Sequence, residues 1–176
     1  VNPNPSYEDA LTGFIHELFA QIEDNVFLDD LQAFSTTLAW FGALNSLSMI
    51  LIKYGSAGVP DLYQGNELID LSLVDPDNRR PVNYEARAVW LDRLEAITTM
   101  TDIATAAGAL AQAPHEGGAK LWATWRLLKL RQAQPALFRD GSYAPLESAG
   151  ARAQHVVAFS RVHEAQSIVV IAGRLF

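Results

Sequence analysis

The 176-residue sequence contains no cysteine. That absence excludes a disulfide framework, a thiolate metal site and a thiol nucleophile. Basic residues are scarce as well: 13 Lys and Arg stand against 20 Asp and Glu, a formal net charge of −7. Without a cationic surplus to neutralise phosphates or anionic headgroups, nucleic acid and membrane surfaces are not expected as partners. No uninterrupted apolar run approaches the roughly 20 residues of a membrane span. The chain opens Val1-Asn2-Pro3-Asn4-Pro5 with neither an initiator Met nor a basic n-region and apolar h-region. These absences fit a cytoplasmic setting. Both ends read as interior to a longer polypeptide, since the start lacks Met and Ile168–Phe176 stops just behind an apolar β-type run.

The four histidines, His16, His115, His155 and His163, show no HxxxH or HxH spacing that suits zinc. The glycines between Gly55 and Gly65 are followed by no Lys-Ser/Thr pair, so no phosphate loop is present. No metal and no other cofactor is expected.

What is present is 49% hydrophobic sequence, enough for one domain, or one and a piece of a second. Ser6 with Asp9 resembles a capping box, and Tyr7, Leu11, Phe14, Ile15, Leu18, Phe19 and Ile22 recur at helical spacing up to Asp24-Asn25. A second helix is expected from Asp29-Asp30 to about Gly55, with the stripe Leu31, Phe34, Leu38, Phe41, Leu44, Leu47 and Leu51. Pro60 and two flanking glycines limit Val59–Leu62 to one short strand, followed by a polar, turn-rich loop to Tyr84. Helical spacing returns from Tyr84 to Ile97, in an Ala-rich stretch from Ile103 to Ala111, and from Ala119 to about Gln134, where Pro135 stops it. Trp90, Trp122 and Trp125 sit at helical spacing among aliphatic residues and read as packing, as does Trp40 beside Phe41. After Arg139 the pattern becomes β, with strands expected in Gly141–Leu146, His155–Val162 and Ser167–Ala172.

Chemistry concentrates between Gly58 and Pro81, which holds Asp61, Tyr63, Gln64, Glu67, Asp70, Asp75, Asp77, Asn78, Arg79 and Arg80. Carboxylates, amides and guanidinium groups pair with vicinal hydroxyls, and a tyrosine ring offers an apolar face to a pyranose. The same composition also describes a solvated loop in which Arg79 and Arg80 cap Asp75 and Asp77 as structural ion pairs. Asp61 and Glu67 are nominal candidates for a glycosidase carboxylate pair, which retaining enzymes hold about 5 Å apart, but their spacing in sequence does not single them out.

The run Gly58-Val-Pro-Asp-Leu-Tyr-Gln-Gly-Asn-Glu-Leu68 resembles the eighth-strand segment of α-amylase-family barrels. Its continuation, Leu71-Ser-Leu-Val-Asp-Pro-Asp-Asn-Arg-Arg-Pro-Val-Asn-Tyr84, is similar to maltooligosyl trehalose synthases, with Asn83 where that family has Asp. The similarity extends over nearly the whole chain, through Asn2-Pro-Asn, Leu44-Asn-Ser-Leu47, Leu127-Leu-Lys-Leu-Arg131, Pro135-Ala-Leu-Phe138 and His155-Val-Val-Ala-Phe159. The resemblance implies a mixed α and β architecture: residues 1–138 would end a catalytic (β/α)8 barrel, and residues 139–176 would begin a C-terminal antiparallel β domain. It implies an isomerase of trehalose biosynthesis that converts the reducing-end α-1,4 bond of a maltooligosaccharide to an α,α-1,1 bond by retaining intramolecular transglucosylation.

The family's three catalytic carboxylates would all precede Val1, so no residue here is assigned as catalytic and the segment is expected to be inactive alone. Tyr63, Gln64, Glu67, Asp75, Asp77, Asn78, Arg79 and Arg80 are assigned to substrate binding. An autonomous carbohydrate-binding or subunit-docking module, and a segment of an α-glucan hydrolase of the same clan, remain as alternatives. The helix stripes, left without a completed barrel, are expected to drive self-association.

Overall fold

The structure, a computed structural model, describes residues 3–20 and 23–176. It is mixed α and β, with six α-helices, three short 3-10 helices and one three-stranded antiparallel sheet among those residues. The chain divides into two compact units, residues 1–39 and 40–176.

In the first unit, α1 spans Pro5–Ala20 and α2 begins at Val26. The helix starts at Pro5 rather than Ser6 because Asn4 caps it: its Oδ1 accepts the Tyr7 amide at 3.3 Å, and Pro5 needs no hydrogen-bond partner in the first turn. Asn25 likewise sets the start of α2, three residues ahead of the expected Asp29, by accepting the Leu28 amide at 3.1 Å, while its Nδ2 donates to Leu18. No residue of α1 is buried, and Tyr7, Phe14 and Phe19 are all more than half exposed. Ile22, expected to extend the α1 stripe, and Asn2 lie outside the described residues.

The helix α2 (Val26–Gly55) carries the chain into the second unit. At 30 residues it measures about 45 Å, long and apolar enough by length and composition to cross a membrane; the core helix of a soluble protein meets the same description. The expectation of no such segment counted uninterrupted apolar runs. Uncharged Ser, Thr and Asn interrupt the run here without adding charge. The side chains α2 buries are Ala43, Ser48, Ile50 and Tyr54, while Leu31, Phe34 and Leu38 of the expected stripe stay exposed.

In the second unit, α3 (Tyr84–Thr98), α4 (Ile103–Leu110) and α5 (Gly118–Ala133) enclose a core of Leu94, Ile97 and Leu121, with Leu68, Trp90, Trp122 and Trp125 packed against it. Asn83 caps α3 by accepting the Ala86 amide at 2.9 Å, a role Asp fills equally well, and Asp102 caps α4 in the same way. Pro135 ends α5 as expected but also opens a further short helix, α6 (Pro135–Arg139), where its fixed φ suits the first turn.

The strands are β1 (Ala144–Leu146), β2 (Val156–His163) and β3 (Gln166–Gly173), in the order β1-β2-β3. Val59–Leu62 forms no strand, having no neighbour to pair with among the described residues.

The change of pattern near residue 138 falls inside the second unit, where α6 packs on β2 and Gly55 of α2 lies against Val170 of β3. Arg161, 1% exposed, reinforces the junction by donating to the carbonyls of Phe138 (2.9 Å), Gly141 (2.8 Å) and Ser142 (3.4 Å).

Candidate functional site

The site is built on the segment that follows α2. Helix C-termini leave carbonyls without intrahelical partners, and Arg131 of α5 donates to one of them, Tyr54 at 2.8 Å, and to Ser56 at 3.1 Å and Gly58 just beyond the helix. This fixes where Val59–Tyr63 begins. The chain then turns at Tyr63–Glu67, where Gly65 adopts φ 96°, a conformation that favours glycine. The Gly65 amide donates to Glu67 Oε2 at 3.1 Å, and Arg87 of α3 donates to the same oxygen at 2.9 Å and to the Gly65 carbonyl at 2.6 Å.

Beyond the turn, Leu68–Asp70 rests on the start of α5. Lys120 Nζ donates to the Leu68 carbonyl at 3.0 Å. A Cβ on Gly117 would stand 3.2 Å from the Ile69 nitrogen, at a φ of 85°. Burial lowers the pKa of Lys120, an effect opposed by the nearby Asp70 and Glu67 carboxylates.

The loop after Asp70 is held by its own carboxylates. Asp70 accepts the Ser72 amide at 3.0 Å, which holds its pKa below the ordinary value. Asp77 Oδ2 accepts the Leu73 amide at 2.6 Å and Oδ1 accepts from Arg80; the Leu73 bond is the larger cause of its lowered pKa. Asp75, joined to Pro76 by a cis peptide, pairs with Arg79, with Nη2 to Oδ2 at 2.7 Å. The structure therefore forms the two loop ion pairs, Asp75 with Arg79 and Asp77 with Arg80.

An open cavity of about 360 Å³ lies between this loop and the Gln64–Gly65 turn, and Gln64, Asp70, Asn78, Arg80, Asn83 and Arg87 present polar groups to it. Asn78 Oδ1 is buried with no hydrogen-bond partner among the described residues. Of the eight residues assigned to binding, Gln64, Asn78 and Arg80 meet at this cavity. Tyr63 instead lines a neighbouring cavity of about 510 Å³, with Lys53, Asp61, Asn66 and Lys120. Glu67 lines neither and braces the turn; Asp77 and Arg79, with Arg80, line a separate open cavity of about 340 Å³, and Asp75 lines none of these. Asp61 and Glu67 do not share a cavity. No group of His, Asp or Glu among the described residues is placed to hold a metal ion.

Asp70, Arg87, Lys53 and Lys120 were not among the assigned residues. Asp70 stood in the polar stretch, but Arg87 and the two lysines come from helices, where a lone basic residue at a helical position gives no sign of which way it is aimed.

No family model matches the chain. A Mycobacterium tuberculosis protein (strain H37Rv) named as a maltooligosyl trehalose synthase is 36% identical over 160 residues, which cover 91% of this chain and 18% of that protein. The crystal structure of a maltooligosyl trehalose synthase superposes with a TM-score of 0.78 at 27% identity, over 98% of this chain and 21% of the other. The Arthrobacter ramosus enzyme superposes with a TM-score of 0.76 at 30% identity, over 99% and 20% respectively. The chain thus spans about a fifth of the length of the relatives it matches.

Proposed function

Because the chain is homologous over nearly its whole length to one segment of maltooligosyl trehalose synthases, we propose that it serves as the corresponding C-terminal portion of a trehalose-forming isomerase. In that setting residues 1–138 complete the catalytic barrel and residues 139–176 open the following β domain. The apolar faces of α1 and α2, exposed in this chain, would then be covered by the rest of the barrel.

The enzyme would break the terminal α-1,4 bond of a maltooligosaccharide and re-form it as an α,α-1,1 bond, with carboxylates supplied from outside this segment. The segment's contribution is to hold the released glucose in place long enough to react again.

The observation that best supports this role is the cavity beside Asn78. Gln64 offers both a donor and an acceptor, Arg80 a guanidinium, and Asp70 an acceptor that is ionised at neutral pH. Tyr63, 40% exposed, presents a ring to the adjoining cavity, where a pyranose face can rest. Glu67, which braces the Gly65 turn, and Asp77, which pairs with Arg80, support the cavity without lining it.

Calorimetric titration of this chain with maltopentaose and trehalose tests the assignment. A segment that depends on its barrel gives no heat and no turnover with either sugar. Micromolar binding by the isolated chain would favour the self-contained carbohydrate-binding module instead.

A further inference from the structure

Lysine is rarely buried without a charged partner, yet Lys120 is 9% exposed. It stands in the first turn of α5, at the positive end of the helix dipole, where a cation is disfavoured a second time. No carboxylate lies within ion-pair distance of its ammonium among the described residues. Among the same residues its side chain makes one hydrogen bond, to the Leu68 carbonyl at 3.0 Å.

What the ammonium holds is one wall of the cavity beside Asn78. Ile69, Asp70 and Leu71 line that cavity, and Leu68 comes directly before them. These residues belong to no helix or strand, so no ladder of backbone bonds fixes them. They are held instead by Lys120 at Leu68, by the close approach of Gly117 to Ile69, and by the Ser72 amide at Asp70 Oδ1. The charges agree with this geometry. Burial lowers the pKa of Lys120, and Asp70 is the first of the charges that oppose the shift. Ser72 does most to hold Asp70 below its ordinary pKa, with Lys120 and Arg80 adding to it.

We infer that Lys120 is a positioning residue: anchored on the Leu68 carbonyl, it places the Asp70 carboxylate at the cavity and so sets how firmly the released glucose is held. Lys120 itself lines the neighbouring cavity with Tyr63, and it acts on the first one only through this wall. The inference rests on the sugar-holding role proposed above.

The test uses the protein made from the complete reading frame that encodes this chain, with two readouts. One is the ratio of trehalosyl product to free glucose from maltopentaose. The other is hydrogen exchange of the Ser72 amide, which reports whether Asp70 is in place. Lys120→Met keeps the apolar stem and removes the donor and the charge. It should lower the ratio about tenfold, since small misplacements of a holding group have effects of that size, and it should speed Ser72 exchange. Lys120→Arg, which keeps a donor and the charge, should restore most of both. In an Asp70→Asn background, Lys120→Met should change the ratio by less than about twofold, because both act on one contact. If Lys120→Met does not fold, Lys120→Gln, with a neutral and shorter donor, should shift both readouts in the same direction.

The inference is overturned if Lys120→Met lowers the total rate with the ratio unchanged, if its effect adds in full to that of Asp70→Asn, or if Ser72 exchanges at the wild-type rate. A wild-type protein that forms no trehalosyl product fails the proposed function instead. The Ser72 amide then decides whether Lys120 places Asp70: faster exchange in Lys120→Met upholds it, and unchanged exchange overturns it.

Discussion

Arg87 and Glu67, twenty residues apart in sequence, form a half-buried ion pair with Nε 2.9 Å from Oε2, and the same guanidinium holds the Gly65 carbonyl. Together they close the turn that presents Gln64 to the cavity. Replacing Arg87 by Ala leaves a carboxylate and a carbonyl short of donors, and should cost about 1–3 kcal/mol. Glu67→Gln keeps an acceptor and should cost less than Arg87→Ala. Urea unfolding at neutral pH measures both, and an Arg87→Ala variant within about 0.5 kcal/mol of wild type would show that the turn stands without the pair.

Arg161 has no carboxylate partner among the described residues; three carbonyls around the α6–β1 connection take its donors. Arg161→Ala would leave the buried Phe138 carbonyl unbonded and those of Gly141 and Ser142 short of a donor, a loss of about 1–3 kcal/mol. Arg161→Lys should recover little, since an ammonium cannot span acceptors arranged for a planar fork. Denaturation midpoints of the two variants should therefore lie close together and well below wild type. A lysine variant as stable as wild type would mean that a single contact suffices.

Asp77 links the loop to pH. Its pKa is held below the ordinary 3.8 by the Leu73 amide first and by Arg80 after that. A carboxylate with a depressed folded-state pKa stabilises its surroundings above the unfolded pKa and loses that contribution as pH falls through the folded one. The loop should thus keep its form from neutrality down to about pH 4 and loosen below that. The Leu73 amide resonance should move with an inflection below 3.8, and Asp77→Asn should abolish the inflection. An amide that does not move between pH 6 and pH 2 would contradict this.

Arg80 faces both Asp77 and the cavity. In an active enzyme carrying this segment, Arg80→Ala should harm trehalose formation more than bond cleavage, because glucose and water compete for the same glucosyl intermediate. Losing one charge-assisted hydrogen bond of roughly 1.5–3 kcal/mol shifts that competition about tenfold or more. Arg80→Lys should restore little of it. The ratio of trehalosyl product to free glucose from maltopentaose is the measure. An unchanged ratio at a lower total rate would leave Arg80 with a purely structural part through Asp77.

Much of the fold was legible from local signals. Periodicity located the long helices, the return of alternation after Arg139 located the sheet, and the mixture of Asp, Asn, Arg and Gln between Gly58 and Pro81 marked the stretch that supplies part of the lining of the candidate cavity. The helix starts at Pro5 and Val26 were displaced because Asn4 and Asn25 cap more directly than the acids behind them. The loop ion pairs were one of two open readings, since Asp and Arg close in sequence serve a solvated turn as readily as a ligand. Lys120 and Arg131 were not legible at all, since each acts through carbonyls contributed by a distant segment and backbone acceptors leave no mark on sequence; Arg87 was hidden because its carboxylate partner, Glu67, lies twenty residues away. The burial of Ala43 and Ser48 in place of Leu31 and Phe34 was equally hidden, because a helix with apolar residues on several faces does not disclose which face this chain covers.

The most direct test of the proposed role is to express the complete reading frame that encodes this chain and analyse its products from maltopentaose. A trehalose-forming isomerase should yield a non-reducing product with an α,α-1,1 terminus as the main species, with free glucose a minor one. Glucose and shorter maltooligosaccharides alone would point to a hydrolase, and no turnover at all would point to a binding module; either result would contradict the account.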